Sequence, residues 1–309
     1  MTGPANQTAA SIHARLKKEA EEQGRPFAEL LQYYGIERFL YRLSRSKYMD
    51  KFILKGGLLF YGWSIPLRRP TRDVDFRGDL DNSDKSVLQA IKDVIAEPVP
   101  DDGIMFDPRT IAVERTQVDA DYGGIRAKFT GYLGRARIPM QIDIGFSDVL
   151  ATRTEQVDYP TLLGDAKSPR LKGYPRESTV SEKFHAMIRH AALNSRFKDY
   201  YDIWLLAENF EFDSRSLQKA IEKTFAKRQT EIPIERPIAL TVEFAKTNQG
   251  RWTSFLNKFS LQSRDINDFA GVVNRIWLFL EYPIRLSQGD KLSKQLHWSP
   301  HTGWRPIVR

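Results

Sequence analysis

The sequence predicts an α+β fold: a mixed sheet with helices in the N-terminal part, followed by a mainly helical C-terminal part. Runs near 72–78, 110–117, 124–132 and 137–146 alternate apolar and polar residues as strands do. A helical pattern (Val87, Leu88, Ile91, Val94, Ile95) separates the first of these from the rest. From Val180 onward the apolar spacing turns helical and stays so. The expected division is therefore 1–165 and 166–309.

Along the chain, residues 9–22 are rich in Ala, Lys and Glu and predict a helix. Pro26 to Leu43 predicts a second, with Phe27, Leu30, Leu31, Tyr34, Phe39 and Leu40 on one face. An apolar segment over 50–62 surrounds Gly56-Gly57 and predicts a strand or an entry into one. Asp121-Tyr122-Gly123-Gly124 is a hairpin-type turn signal between two of the strands. Gly and Pro in GDAKSPRLKGYPRES, 164–178, predict a basic loop. Thr179-Val180-Ser181-Glu182 has the form of a capping box and predicts a helix start near Val180. Helices are expected over 214–227, 236–247, 250–260 and 264–286. The tail, with Trp298 and Trp304, is expected to pack back onto the core.

The chemistry concentrates between Leu54 and Phe76. Asp73 and Asp75 are one residue apart in a strand, so both carboxylates share a face, opposite Val74 and Phe76. A hard cation such as Mg²⁺ takes oxygen from one or two carboxylates and fills its remaining positions with water and substrate phosphate. Gly56-Gly57 lets the backbone approach a phosphate closely. Arg69, Thr71 and Arg72 add cations and a hydroxyl beside the pair. In RIPMQIDIGF, Ile138, Met140, Ile142 and Ile144 form an apolar row, which puts Asp143 on the polar face. If that strand neighbours the one with Asp73 and Asp75, three carboxylates converge on a two-metal site.

Gly56-Gly57, then RPTRDVD, then IDIGF, and finally STVSEKFHAMIRHAALNSRFKDYYDIWLL resemble, in order, the motifs of the AbiEii/AbiGii toxin family of nucleotidyltransferases. That family is similar to the DNA polymerase β-like nucleotidyltransferase superfamily. The resemblance spans about 40–210 and departs at Gly57, where the superfamily usually has Ser. It implies a polymerase β-like core whose cleft is completed by the helical C-terminal domain. It also implies a toxin of a type IV toxin–antitoxin or phage-defence system with a separately encoded antitoxin. The implied reaction transfers a nucleotide from an NTP to RNA, in some relatives the tRNA 3′ end.

On this basis Asp73, Asp75 and Asp143 are the expected metal ligands, with Asp143 helping to deprotonate the acceptor hydroxyl. Lys183, near the predicted helix start, is expected to steady the triphosphate. Gly56, Gly57, Arg69, Thr71, Arg72 and Asp199 complete the expected nucleotide contacts. Asp199 and Asp202 lie three apart on the next helix; one pairs with Arg196, and the other holds Lys183 or approaches the pocket. Asp202 is the preferred functional member. A protein or small-molecule hydroxyl as acceptor, or a kinase-like NTP-binding regulator, are the other readings.

Composition bounds the rest. The chain has 309 residues, 28% of them charged, and no cysteine, which excludes disulfides and Cys-based zinc sites. Residues 1–25 lack the apolar stretch of a signal peptide, and no run reaches membrane-span length, so a cytoplasmic enzyme is expected. The formal net charge of +8 favours a polyanionic partner. Candidate contact clusters are Arg38, Arg42, Arg45 and Lys47; Arg68, Arg69 and Arg72; and Lys167, Arg170, Lys172 and Arg176. No Ser-His-Asp order or Gly-x-Ser-x-Gly elbow points to a hydrolase, and His185 is expected to pack.

Overall fold

The protein, seen in a computed structural model, is described over residues 4–66, 71–119, 122–146, 150, 152–190, 196–289 and 294–306. It divides into two units: Met1–Asp148 with Thr154–Tyr174, and Val149–Arg153 with Pro175–Arg309.

The first unit opens with α1 (Pro4–Glu22) and α2 (Phe27–Arg45), followed by β1 (Phe52–Lys55), α3 (Leu58–Gly62), β2 (Asp73–Gly78) and α4 (Asp84–Ile95). It continues through β3 (Ile104–Asp119), β4 (Tyr122–Leu133), β5 (Ala136–Gly145), β6 (Glu155–Asp158) and β7 (Arg170–Gly173). The strands form one mixed sheet in the order β3-β4-β5-β2-β1-β7-β6, with β2 parallel to β5 and β1 parallel to β7. The apolar rows of the strands lie against α2 and α4. Phe39 of α2 meets Phe129 of β4 at 5.7 Å and Phe106 of β3 at 6.3 Å between ring centroids. Gly35 lets α2 settle closely on β5, since a Cβ there would lie 2.8 Å from Ile138 Cγ2.

Two expectations for this unit change. Gly123 and Gly124 of the expected turn are strand residues of β4, paired with Gln117 and Thr116 of β3, and Asp121 lies outside the described residues. The segment read as a basic loop contributes β7, whose Leu171 is fully buried; pairing with β1 and β6 outweighs the local Gly and Pro, and the unit closes at Tyr174.

The second unit comprises α5 (Arg176–His190), α6 (Phe197–Asn209), β8 (Phe212–Asp213), α7 (Ser214–Lys227), a 3-10 turn (Ile238–Leu240), α8 (Val242–Lys258), α9 (Phe269–Ser287), β9 (Leu296–Ser299) and β10 (Gly303–Pro306). Asp213, Thr241 and Asp268 cap α7, α8 and α9 with their side chains. α8 runs straight through Gly250 as one helix where two were expected; Trp252 within it is buried and stacks on Phe269 at 4.7 Å. α5 starts at Arg176, one turn before the predicted Val180, and Thr179 N bonds the Pro175 carbonyl. The tail folds as β9 and β10 beside β8; Trp298 Nε1 donates to Ala207 O and Trp304 Nε1 to Phe279 O, so both indoles pack on the core as expected.

One buried pair makes stability depend on pH. Glu37 and Arg38 of α2 are both buried; Arg38 donates to Glu37 and to Lys167 O, and Leu162 N donates to Glu37. Burial outweighs the attraction of Arg38 and pushes the Glu37 carboxyl up to about 7. The folded state therefore binds more protons than the unfolded chain between the ordinary carboxylate range and neutrality. Its contribution is complete below the unfolded value and is lost as pH rises through about 7. Urea unfolding at pH 5 and pH 8 is expected to show a loss of roughly 3 kcal/mol, largely absent in Glu37→Gln.

Candidate active site

The polar face of the first unit's sheet carries a row of charges set by strand register. Lys55 of β1 pairs with Asp75 of β2, Asp75 with Asp143 of β5, Asp143 with Arg126 of β4, and Arg126 with Glu114 of β3. One row over, Asp73 pairs with Gln141 and Gln141 with Lys128. Along β2, Asp73 and Asp75 are part-exposed while Val74 and Phe76 are fully buried, so the two carboxylates share the face opposite the core. Because adjacent strands lie about 4.8 Å apart, Asp75 and Asp143 are direct cross-strand neighbours.

Gly56 is needed on two counts. Its φ is +73°, and a Cβ there would sit 2.0 Å from Asp75 Oδ2. The carboxylate rests directly against the Gly56 backbone, so the first glycine of the pair makes room for Asp75. Gly57 leads into α3 in helical conformation. Gly56→Ala combines left-handed strain of roughly 1–2 kcal/mol with a collision against Asp75. It is expected to displace that carboxylate and remove most of the activity, measurable beside an unfolding curve.

Asp143 is engaged by two side chains. Arg126 Nε donates to Oδ1 at 2.7 Å and its Nη2 to Oδ2 at 2.9 Å; Gln141 Nε2 donates to Oδ2 at 3.2 Å. The Asp143 bond and charge raise the Arg126 guanidinium above its ordinary value, and Asp73 and Glu114 add to the same field. Lys128 pairs with Glu114 at 2.6 Å. Asp73 and Asp75 suit a hard divalent cation: two carboxylates on one strand face, with glycine backbone alongside. The expected third ligand shares their face, but both its oxygens are bonded to Arg126. Among the described residues, no three His, Asp or Glu side chains form a group able to hold a metal.

A cavity of about 450 Å³ adjoins Asp73. Arg72, Lys128 and Arg137 line it, with Gln32, Thr130 and Gln141 as further polar groups. It is large enough for a nucleotide or for the end of a polynucleotide. Thr71 donates its backbone N–H to the Tyr33 hydroxyl at 3.0 Å, which anchors the approach to β2. Arg69 and Arg68 lie outside the described residues.

In the second unit Lys183 of α5 bonds two carboxylates of α6, Asp199 at 3.0 Å and Asp202 at 2.6 Å. Asp199 also pairs with Arg196 at 2.8 Å. The alternatives posed for the two aspartates therefore merge: Asp199 takes both Arg196 and Lys183, and Asp202 takes Lys183. Burial alone would raise the Asp199 carboxyl, but Lys183 and Arg196 outweigh it and hold it below its usual value. Because α5 begins at Arg176, Lys183 stands in the second turn and not at a helix N-terminus. There it is held between the carboxylates of Asp199 and Asp202. His185 is buried against Phe225, its Nε2 within 2.9 Å of Thr230 Oγ1, as expected of a packing residue.

Among the described residues, several cations of the basic clusters read from sequence already have partners. Arg38 and Arg42 are buried on Glu37 and Asp102. Lys47, Arg170 and Lys172 pair with Asp93, Asp158 and Asp50, and Arg176 stacks on Phe210. Besides Lys55, Arg126, Lys128 and Arg137 lie on or beside the carboxylate face, and none of these three had been singled out. Their signal was present: the two-residue turn Gly134-Arg135, with Gly134 at φ +58°, pairs Leu133 with Ala136 and thereby Arg126 with Asp143.

The first unit thus sets an Asp-x-Asp strand beside a glycine pair with an acidic neighbour in register, and a mainly helical second unit follows it in the chain. The chain belongs to the nucleotidyl transferase AbiEii toxin family of type IV toxin–antitoxin systems, whose model matches residues 38–275. Among solved structures it is similar to JHP933 from Helicobacter pylori (14% identity, 83% of this chain and 91% of that one, TM-score 0.44). It is also similar to a candidate nucleotidyltransferase from H. pylori (12% identity, 82% and 92%, TM-score 0.43). No curated protein matches the sequence. No helix among the described residues is long and apolar enough to cross a membrane.

Proposed function

We propose that this enzyme transfers a nucleotidyl group from an NTP to a hydroxyl of RNA, the tRNA 3′ end, as the toxin of a type IV toxin–antitoxin pair acting in phage defence in the cytoplasm. The observation that carries this reading is the in-register placement of Asp75 and Asp143, with Asp73 beside them on one sheet face. In the reaction the acceptor oxygen bonds the α-phosphorus, the bond to the β-phosphate breaks, and pyrophosphate leaves. Asp73 and Asp75 would hold Mg²⁺, with Asp143 completing a two-metal set. When bound, the metal supplies charge neutralisation for the triphosphate and its leaving group. Asp143 accepts the proton of the acceptor hydroxyl. Arg72, Lys128 and Arg137, lining the cavity beside Asp73, offer cations to the phosphates of the nucleotide or RNA. Lys183 enters as a triphosphate contact whose ammonium Asp199 and Asp202 hold in place.

The test incubates the enzyme with Mg²⁺, total tRNA and each of the four NTPs labelled at the α-phosphate, with intact or periodate-oxidised RNA. Label entering intact tRNA alone supports a 3′-hydroxyl acceptor. Label entering a protein or small molecule of a lysate instead moves the acceptor to that class.

A further inference from the structure

We propose that Arg126 gates cation binding at the carboxylate face: it holds Asp143 in the resting protein and must release it for Asp143 to join Asp73 and Asp75. The inference rests on the metal-site reading above. Strand register makes Asp75 and Asp143 neighbours, yet their side chains do not close into a ligand group among the described residues. On its other side Asp143 is paired with Arg126 of β4. Its guanidinium matches both carboxylate oxygens in bidentate geometry, at 2.7 and 2.9 Å. A divalent cation and a guanidinium compete for the same oxygens, since each is held by the same negative charge.

The surroundings suit release as well as capture. Arg126 is about one-third exposed, unlike the largely buried Asp143, so the guanidinium has room to move. Glu114 stands opposite it in register on β3, where it already holds Lys128. Arg126 also lies in the field of Asp73. A triphosphate arriving with its cation brings phosphate oxygens that take the same bidentate donor. The gate thereby couples cation occupancy at Asp143 to nucleotide: without nucleotide Arg126 neutralises the site, and with it Arg126 changes partner.

The experiment titrates the full-length protein with Mn²⁺ in the absence of nucleotide, following free Mn²⁺ by electron paramagnetic resonance. Arg126→Gln is expected to bind Mn²⁺ roughly tenfold more tightly than the unaltered protein. The gain is expected to vanish in Arg126→Gln combined with Asp143→Asn, and to be partial in Arg126→Lys, which keeps the charge without the fork. Circular dichroism melts accompany each variant, and Arg126→Lys carries the test if Arg126→Gln does not fold. Unchanged or weaker Mn²⁺ binding in a folded Arg126 variant overturns the gate. If binding is meanwhile lost in Asp73→Asn, the metal-site reading stands without it. Mn²⁺ binding indifferent to Asp73→Asn and Asp75→Asn overturns the metal-site reading itself.

Discussion

Asp75→Asn is expected to lower nucleotidyl transfer by about a thousandfold or more at saturating NTP. A cation-bound carboxylate contributes several kcal/mol of charge stabilisation, and about 4 kcal/mol is three powers of ten in rate. The substitution keeps the shape against Gly56, where the Asp75 carboxylate already fills the space a Cβ would need. It also removes one of two acidic groups paired across β2 and β5. The cost to stability is therefore small, about 1 kcal/mol. Single-turnover rates and urea unfolding on the same preparation separate the two quantities. An Asp75→Asn protein that folds and transfers at the original rate would remove Asp75 from the chemistry.

Lys183→Met is expected to cost about 3–5 kcal/mol of stability, because it leaves Asp199 and Asp202 buried with one cation fewer. Arg196 stays on Asp199 but does not replace the 2.6 Å contact to Asp202. Replacing all three, Lys183→Met with Asp199→Asn and Asp202→Asn, is expected to recover most of that loss. Activity should not return with it if Lys183 serves the triphosphate. The cluster also has an acid signature. The Asp199 carboxyl is held below its usual value, so its contribution is present above the unfolded value and is lost as pH falls through the folded one. Thermal melts across the acid range are expected to show Lys183→Met losing this acid-sensitive part of the stability. A Lys183→Met protein as stable as the original would mean that the two carboxylates find other cations.

The parts of the fold that sequence conveyed were those with strong periodicity and a core to face. β2, β4 and β5 alternate cleanly, and α4 and α7 lie where their apolar spacing put them. What sequence missed was set by partners distant along the chain. β7 is only Arg170–Gly173 and becomes a strand because β1 and β6 flank it. The capping-box pattern at Thr179 was overridden because the helix begins earlier, which moved Lys183 inward and gave it to Asp199 and Asp202. The candidate site divides the same way. Alternation put Asp73, Asp75 and Asp143 opposite their apolar rows, and the pairing of β2 with β5 brings the three to one face. Arg126 escaped notice because its importance lies in a cross-strand pair, visible only once the hairpin register is counted from Gly134.

The most direct measurement follows both ends of the triphosphate in one reaction. Enzyme, Mg²⁺, tRNA and the preferred NTP are combined with label either at the α- or at the γ-phosphate. Nucleotidyl transfer predicts α-label in the RNA and an equal amount of γ-label released as pyrophosphate, with both lost in Asp75→Asn. The γ-label on the acceptor, with nucleoside diphosphate as the second product, would instead identify phosphoryl transfer and contradict the proposed chemistry.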